Sequence, residues 1–338
     1  MLSLFLVWGP FGFRMDELAE VVGGKRVSMT ILYGPRYFAP LRYVTLFLKT
    51  LLLLLRERPG VVYAQNPPVF CPLTCLIYSR LAGKKLLVDH HSVWQLKTVG
   101  GLVGRVIGFL ERFVAASAYA NTTPNSEWAS QLGRMGGRRV ELIHDYVPRN
   151  PNSTDESVRR KYSQTQVIAI ASHGGHPLEM MEAEGAAAGQ VDGLTLLISG
   201  PEEKLRRRFE AMKAPPNVKY VGFLPRDEYE RLKASCDFAV NVTVEPHTLS
   251  HVLFEFVASK LPTITSRKMV VQEVFGDSLQ YLDMNHPEEL VRVLRRFTAD
   301  ENLRATFRAR SLRKHAELTK LHEEEVRRLR ALLPPQNH

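Results

Sequence analysis

Short apolar runs alternate with longer stretches of helical periodicity along nearly the whole chain, and this alternation restricts the fold more than any other feature. Leu2–Val7, Arg26–Leu32, Val61–Ala64, Lys85–Val88 and Val140–Ile143 read as strands, and Met15–Val22, Leu41–Arg56, Pro72–Leu81, Leu102–Ala118 and Ser126–Gly133 as the helices between them. Strands separated by helices cannot pair through tight hairpins. They are expected to lie parallel, in a sheet covered by helices on both faces.

A polar, turn-rich segment follows Asp145-Tyr-Val-Pro148, after which the alternation resumes. Gln166–Ala171, Leu194–Ser199, Val218–Val221, Phe238–Val242, Thr263–Thr265 and Leu279–Leu282 are the strands expected there. Leu178–Gly189, Glu202–Met212, Arg226–Ser235, Ser250–Lys260 and Pro287–Ala299 are the helices. The expected architecture is α/β, with doubly wound domains over 1–148 and 164–310, a linker over 149–163 and a helical tail over 311–338. Two such domains would leave a ligand cleft facing the carboxyl ends of their strands.

With 338 residues, 45% of them apolar and 24% charged, the chain can bury two cores, which excludes disordered and collagen-like structure. Its formal charge of +10 calls for an anionic partner. The sequence has no zinc finger, no RNP-type aromatic pair and no compact basic helix-turn-helix, so nucleic acid is not the expected one. Cys71, Cys75 and Cys236 lack the paired spacing of a zinc site or a disulfide framework, which fits a reducing, cytoplasmic setting. Met1–Trp8 has no basic leader and reads as a strand rather than a signal peptide. The apolar run from Tyr43 to Leu55, interrupted by Lys49, is shorter than the ~20 residues a bilayer span needs. It fits either a buried helix or one lying on a membrane surface, with Arg42, Lys49, Arg56 and Arg58 at the headgroups.

Polar residues gather where expected strands end. Asp89-His90-His91-Ser92 follows Leu86–Val88, and an Asp–His couple suits general acid/base work, whereas adjacent strand residues point to opposite faces and make a poor metal site. Trp8-Gly9-Pro10-Phe11-Gly12-Phe13-Arg14 follows a further strand, and Asn66-Pro67-Pro68 and Thr123-Pro-Asn125-Ser126-Glu127 at two more strand ends would either line the cleft or form a turn and an N-cap. Ser172-His173-Gly174-Gly175-His176 would let backbone approach a phosphate closely, or would form a plain turn. Ser250 opens a helix whose amino end offers N–H groups to an anion, and Glu255 follows within that helix.

The blocks Asn217-Val-Lys-Tyr-Val-Gly-Phe-Leu-Pro225, Cys236-Asp237-Phe238-Ala239-Val240 and Ser250-His-Val-Leu-Phe-Glu255-Phe-Val-Ala-Ser-Lys-Leu-Pro262 resemble the carboxyl-terminal domain of GT-B glycosyltransferases of the family 4 type. Asp89 and His91 also resemble a D-x-H pattern of the dolichol-pathway β-mannosyltransferases. The resemblance implies two Rossmann-like domains, an acceptor-binding first and a nucleotide-sugar-binding second, and transfer of a sugar from a UDP- or GDP-sugar to an acceptor hydroxyl. It implies a donor site formed by Ser172, His173, Gly174, Gly175, His176, Phe223, Glu245, His247, Ser250, His251 and Glu255, with Glu255 at the ribose. Asp89 and His91 would be catalytic, and Gly9, Phe11, Gly12, Arg14 and Asn66 would meet the acceptor. No cofactor or bound metal is expected, since a helix dipole and basic side chains can stabilise the leaving diphosphate.

The sequence departs from the family at two places. Where the family carries a glutamate eight residues before Glu255, this chain has His247, with Glu245 nearby. Where many members place Arg and Lys in the phosphate loop, it has only His173 and His176. A nucleotide-sugar epimerase and a non-catalytic sugar-nucleotide binder are the alternatives. Basic charge with a leucine-rich helix, and aromatics around Phe11, Tyr37 and Phe38, favour a polyprenyl-linked or other lipid-linked glycan as acceptor and an anionic membrane surface at the cytosolic face, a soluble protein or small-molecule acceptor being the alternative.

Overall fold

A computed structural model describes residues 2–9, 13–31, 38–91, 100–146, 155–162, 167–174, 179–283, 286 and 288–333. The chain divides into two compact units, one formed by residues 1–145 with 321–338 and the other by residues 146–320.

The first unit runs β1 (Ser3–Val7), α1 (Phe13–Val22), β2 (Lys25–Ser28), α2 (Ala39–Glu57), β3 (Val61–Asn66), α3 (Phe70–Ala82), β4 (Lys85–His90), α4 (Gly101–Ser117), β5 (Ala120–Thr123), α5 (Ser126–Arg134) and β6 (Val140–Leu142). Its strands form one sheet in the order β2-β1-β3-β4-β5-β6, all parallel. β2 is shorter than the run Arg26–Leu32, and the ladder ends where the Met29 N–H reaches the Val7 carbonyl. β1, β3 and β4 are almost wholly buried and pack apolar side chains against helices on both faces. Residues 147–154 and 163–166 lie outside the described residues, and with them 149–154 and 163 of the expected linker.

In the second unit the elements are α6 (Glu156–Tyr162), β7 (Val167–Ser172), α7 (Met181–Ala188), β8 (Leu194–Ser199), α8 (Glu202–Ala211), β9 (Val218–Gly222), α9 (Arg226–Ala234), β10 (Phe238–Asn241), α10 (His251–Ala258), β11 (Thr263–Ser266), α11 (Met269–Phe275), β12 (Gln280–Leu282) and α12 (Glu288–Ala299). The sheet order is β12-β11-β10-β7-β8-β9, again parallel. α6 forms inside the segment expected to be linker. The Asp155 carboxylate accepts the Ser157 N–H at its start, and Arg159 is held by Asp237 and the Ser235 carbonyl.

Motif residues of this unit serve its architecture. The Asn217 amide donates to the Ala188 and Leu194 carbonyls. Asp237 accepts from the Ile168 N–H at 2.7 Å and from Arg159 at 2.8 Å. Gly222 ends β9 with a φ of 77°, which an L side chain rarely adopts.

The long helix α13 (Glu301–Leu332) starts in the second unit and ends in the first. Its charges are not all solvated. Glu325 is buried and accepts both the backbone N–H of His144 at 3.0 Å and the ring Nδ1–H at 2.6 Å, while Leu329 and Leu332 join the core of the first unit.

On one side of the first sheet α3 packs between α2 and α4. Leu41, Val44, Leu48, Leu52 and Leu55 of α2, Leu81 of α3, and Leu102, Val103, Val106, Phe109 and Phe113 of α4 are exposed there. Lys49, Arg56, Arg80, Arg105 and Arg112 stand exposed among them. Only Leu46, Thr50 and Leu54 of α2 are buried, with the Trp8 indole N–H donating to Thr50 Oγ1 at 2.9 Å. None of the described helices is long and apolar enough to cross a membrane.

Removing the Glu325 carboxylate takes away the acceptor of two buried His144 groups. Glu325→Ala is expected to cost about 2–4 kcal/mol in urea denaturation, and Glu323→Ala, on the exposed face of the same helix, less than about 0.5 kcal/mol.

Candidate functional site

Open parallel sheets bind ligands beyond the carboxyl ends of their strands, at the point where the chain reverses its direction of travel across the sheet. That point lies between β1 and β3 in the first unit and between β7 and β10 in the second. The sequence-predicted residues cluster at both.

In the first unit a buried guanidinium organises the strand ends. Arg14 Nε donates to both carboxylate oxygens of Asp89 at 3.0 Å, and Nη1 donates to Asp145. Asp89 is fully buried and also accepts from Thr122 Oγ1 at 2.8 Å; Thr122 in turn meets the Tyr63 hydroxyl. Burial alone would lower the Arg14 pKa, but Asp89 and Asp145 outweigh it and raise it further above its ordinary value. Arg14, expected at the acceptor, therefore turns inward. Asp89, expected to react, is occupied by Arg14 and Thr122. The carboxylate that faces the partly exposed ring of His91 is that of Asp145, 4.0 Å from Nδ1, a neighbour absent from the sequence reading.

His90 points to the other face, as strand alternation requires. Asn66 Nδ2 donates to Glu111 Oε2 at 2.5 Å and approaches His90 Nδ1 at 3.2 Å. Both Nδ2 protons of Asn121 go to the Ala115 and Arg138 carbonyls, so its Oδ1, 3.0 Å from His90 Nε2, needs a donor. His90 is thus the neutral Nε2–H tautomer. Desolvation lowers its pKa to about 4, against the Asn121 bond and Asp89, and desolvation raises that of Glu111 to about 7, against the Asn66 bond. Asn66, expected at the acceptor, is buried in this network. Gly9 accepts from Ser28 through its carbonyl. Phe11 and Gly12 lie outside the described residues, as does Tyr37. Asn125 caps α5 by accepting the Trp128 N–H at 2.9 Å.

In the second unit, Ser172 and Glu255 are joined through hydroxyls. Ser172 Oγ lies 2.8 Å from Ser199 Oγ and 2.7 Å from the Tyr229 hydroxyl, which donates to Glu255 Oε2 at 3.3 Å. His251 Nε2 is 3.6 Å from the other Glu255 oxygen, one helical turn away. Ser250 is the N-cap of α10 but makes no side-chain capping bond. Glu245 begins a turn closed by its carbonyl to the Thr248 N–H, and His247 lies within that turn. Phe223 is exposed at the end of β9.

His173 does not face outward as a phosphate ligand would. Its ring is buried, with Nε2 2.8 Å from Glu184 Oε2 and Nδ1 3.9 Å from Glu179 Oε2. Burial lowers its pKa, but the charge and hydrogen bond of Glu184 outweigh that and hold it above the ordinary value. Gly174 donates its N–H to Glu179 Oε1 at 2.7 Å, while Gly175 and His176 lie outside the described residues. Two neighbours went unread in the sequence, Tyr229 and Lys268. Lys268 is buried just beyond β11 and donates to Thr243 Oγ1. A lysine two residues after a strand is the only linear signal for it. No group of three or more His, Cys, Asp or Glu suited to a metal occurs among the described residues.

Two family models match the chain, a glycosyl transferase 4-like domain over residues 8–144 and a glycosyl transferase-like domain over 182–331. No curated protein sequence matches it. Solved structures that it resembles include HepE of Anabaena in complex with UDP and glucose (13% identity, 98% of this chain and 100% of that one, TM-score 0.74). Another is the sucrose-phosphate synthase of Thermosynechococcus elongatus (14% identity, 96% and 99%, TM-score 0.75). A third is WaaG, a glycosyltransferase involved in lipopolysaccharide biosynthesis (13% identity, 99% and 100%, TM-score 0.71).

The buried Glu111 makes stability pH-dependent with a definite sign. Between its ordinary value of 4.5 and about 7 the folded protein holds a proton that the unfolded chain has lost, so its contribution falls as pH rises through that window. His90, depressed from 6.5 to about 4, acts oppositely, losing its contribution as pH falls. Comparing Glu111→Gln with wild type isolates the first effect: from pH 4.5 to 8 the variant should gain roughly 3 kcal/mol relative to wild type in urea denaturation.

Proposed function

Since the chain belongs to the group 1 GT-B glycosyltransferases, we propose that it transfers a sugar from a nucleoside-diphosphate sugar, UDP-linked or GDP-linked, to a hydroxyl of a lipid-linked glycan at the cytosolic face of a membrane. The observation that carries the donor half is the Ser199–Ser172–Tyr229–Glu255 hydroxyl chain at the β7/β10 switch point, beside the uncapped start of α10. Glu255 keeps an oxygen toward His251 and can accept from ribose hydroxyls. The N–H groups at the start of α10 suit a diphosphate, and this helix end with nearby cations would take up leaving-group charge without a bound metal. The complexes of HepE with UDP and with UDP-glucose favour a uridine nucleotide as the first to test.

For the acceptor half we assign proton transfer to His91, oriented by Asp145 rather than by Asp89. Asp89 anchors Arg14, which holds Asp145 in place behind the imidazole. The membrane reading is supported by the exposed α2–α3–α4 face, whose leucines and phenylalanines are interspersed with Lys49, Arg56, Arg80, Arg105 and Arg112. Apolar burial and basic charge together are what reversible attachment to an anionic leaflet takes.

Transfer and donor-hydrolysis assays over UDP- and GDP-sugars test the reaction, and binding without turnover for every donor would refute it. Glu255→Ala is expected to weaken nucleotide binding about tenfold, the worth of a hydrogen bond to a charged group, with little change in turnover of bound donor. His91→Ala should lower turnover by about 10²–10⁴ at unchanged donor affinity. For the membrane face, co-sedimentation with vesicles rich in phosphatidylserine should exceed that with phosphatidylcholine alone and fall sharply in Leu48→Glu/Leu52→Glu. Equal binding of wild type and variant would remove this surface from the model of attachment.

A further inference from the structure

A diphosphate needs a cation, and the described residues of the loop after β7 present none outward. His173 is consumed by Glu184 and Glu179, and the Gly174 N–H is consumed by Glu179. The Arg208 guanidinium, which reaches this loop, is turned onto Glu182 and the Glu179 carbonyl. Among the described residues of this loop the outer charge is therefore that of a carboxylate, Glu179.

Positive charge enters from the opposite side of the same switch point. Glu179 pairs with Thr243 in an isolated antiparallel bridge, which brings the loop after β7 against the loop after β10. Thr243 is fixed from its other side by β11, its N–H and carbonyl both bonded to Ser266 Oγ. Lys268, two residues beyond Ser266, reaches back across the end of β10 and donates to Thr243 Oγ1. The residue is 7% exposed, and one hydroxyl is the hydrogen-bond partner of its three N–H groups, with Glu245 acting on it through space. A buried ammonium so placed is costly unless an anion joins it. Consistent with that cost, desolvation lowers its pKa to about 8 although Glu245 works to raise it.

We infer that Lys268 is a donor-binding residue whose ammonium bonds the diphosphate of the nucleotide, from the side of the switch point opposite the loop after β7. The assignment rests on the donor reading above. It makes the approach to the phosphates run over Thr243 and the end of β10. It also gives Glu245 a part in setting the position of a cation, a part that does not require contact with the sugar.

The test is isothermal titration of UDP, GDP, uridine and guanosine into wild type, Lys268→Met, Lys268→Arg and Glu255→Ala, with near-UV circular dichroism to confirm packing. Lys268→Met keeps the length of the side chain and removes the charge. It should lower affinity for whichever diphosphate binds by about 10- to 100-fold, leave the matching nucleoside within about twofold, and be partly rescued by Lys268→Arg. Wild-type affinity in Lys268→Met, or equal loss of nucleoside and diphosphate, would overturn the assignment. If Glu255→Ala still weakens binding in that case, the donor reading stands and only Lys268 is wrong. A wild-type protein that binds none of the four ligands removes the donor reading and this assignment with it.

Discussion

The Arg14 guanidinium is the interaction on which the chemistry-bearing edge of the first unit depends. It sits at the start of α1 and bridges Asp89 at the end of β4 to Asp145, where the chain leaves this unit. Residues far apart in sequence are thereby cross-linked at the carboxyl edge of one sheet. The ion group is fully buried, so its desolvation is repaid only because both carboxylates meet the cation with hydrogen-bond geometry and Thr122 satisfies a further acceptor. Removing any one partner would strand charge in the interior. His91 takes its place beside Asp145 as a consequence of that arrangement.

Behind the same strand end lies a second polar network of opposite character. His90, Asn66 and Asn121 are neutral and burial raises the Glu111 pKa to about 7, the Asn66 and His90 donors meeting acceptors across β3, β4, β5 and α4. Strand alternation separates the two: Asp89 and His91 share the ionic face, and His90 faces the helices. In the second unit, buried polar groups are likewise sorted. Glu184 draws His173 into the interior, while Ser172, Tyr229 and Glu255 carry hydrogen bonds toward the start of α10.

Most strands were legible because β1, β3, β4, β7 and β8 are dense in apolar side chains buried on both faces. β5, Ala-Asn-Thr-Thr, was not legible. Its polar residues look like loop until one sees Asn121 bonded to two carbonyls and His90, and Thr122 to Asp89 and Tyr63. α6 and α11 were missed for a related reason. The first is pinned by Asp237, distant in sequence, and the second is a short helix starting at Lys268.

From the sequence alone came the alternating α/β pattern, the two-domain division, the GT-B resemblance and the placing of polar residues at strand ends. These follow from local periodicity and from motifs whose residues are close along the chain. Only the tertiary structure decided which polar residues face inward: Arg14, Asn66 and His173 are consumed by partners, His91 lies 4.0 Å from Asp145, and Lys268 is carried to the β7/β10 switch point. The reason is physical. In a parallel sheet neighbouring strands are separated by whole helices, so what a charged side chain meets at a strand end is set by the order of strands across the sheet rather than by sequence proximity.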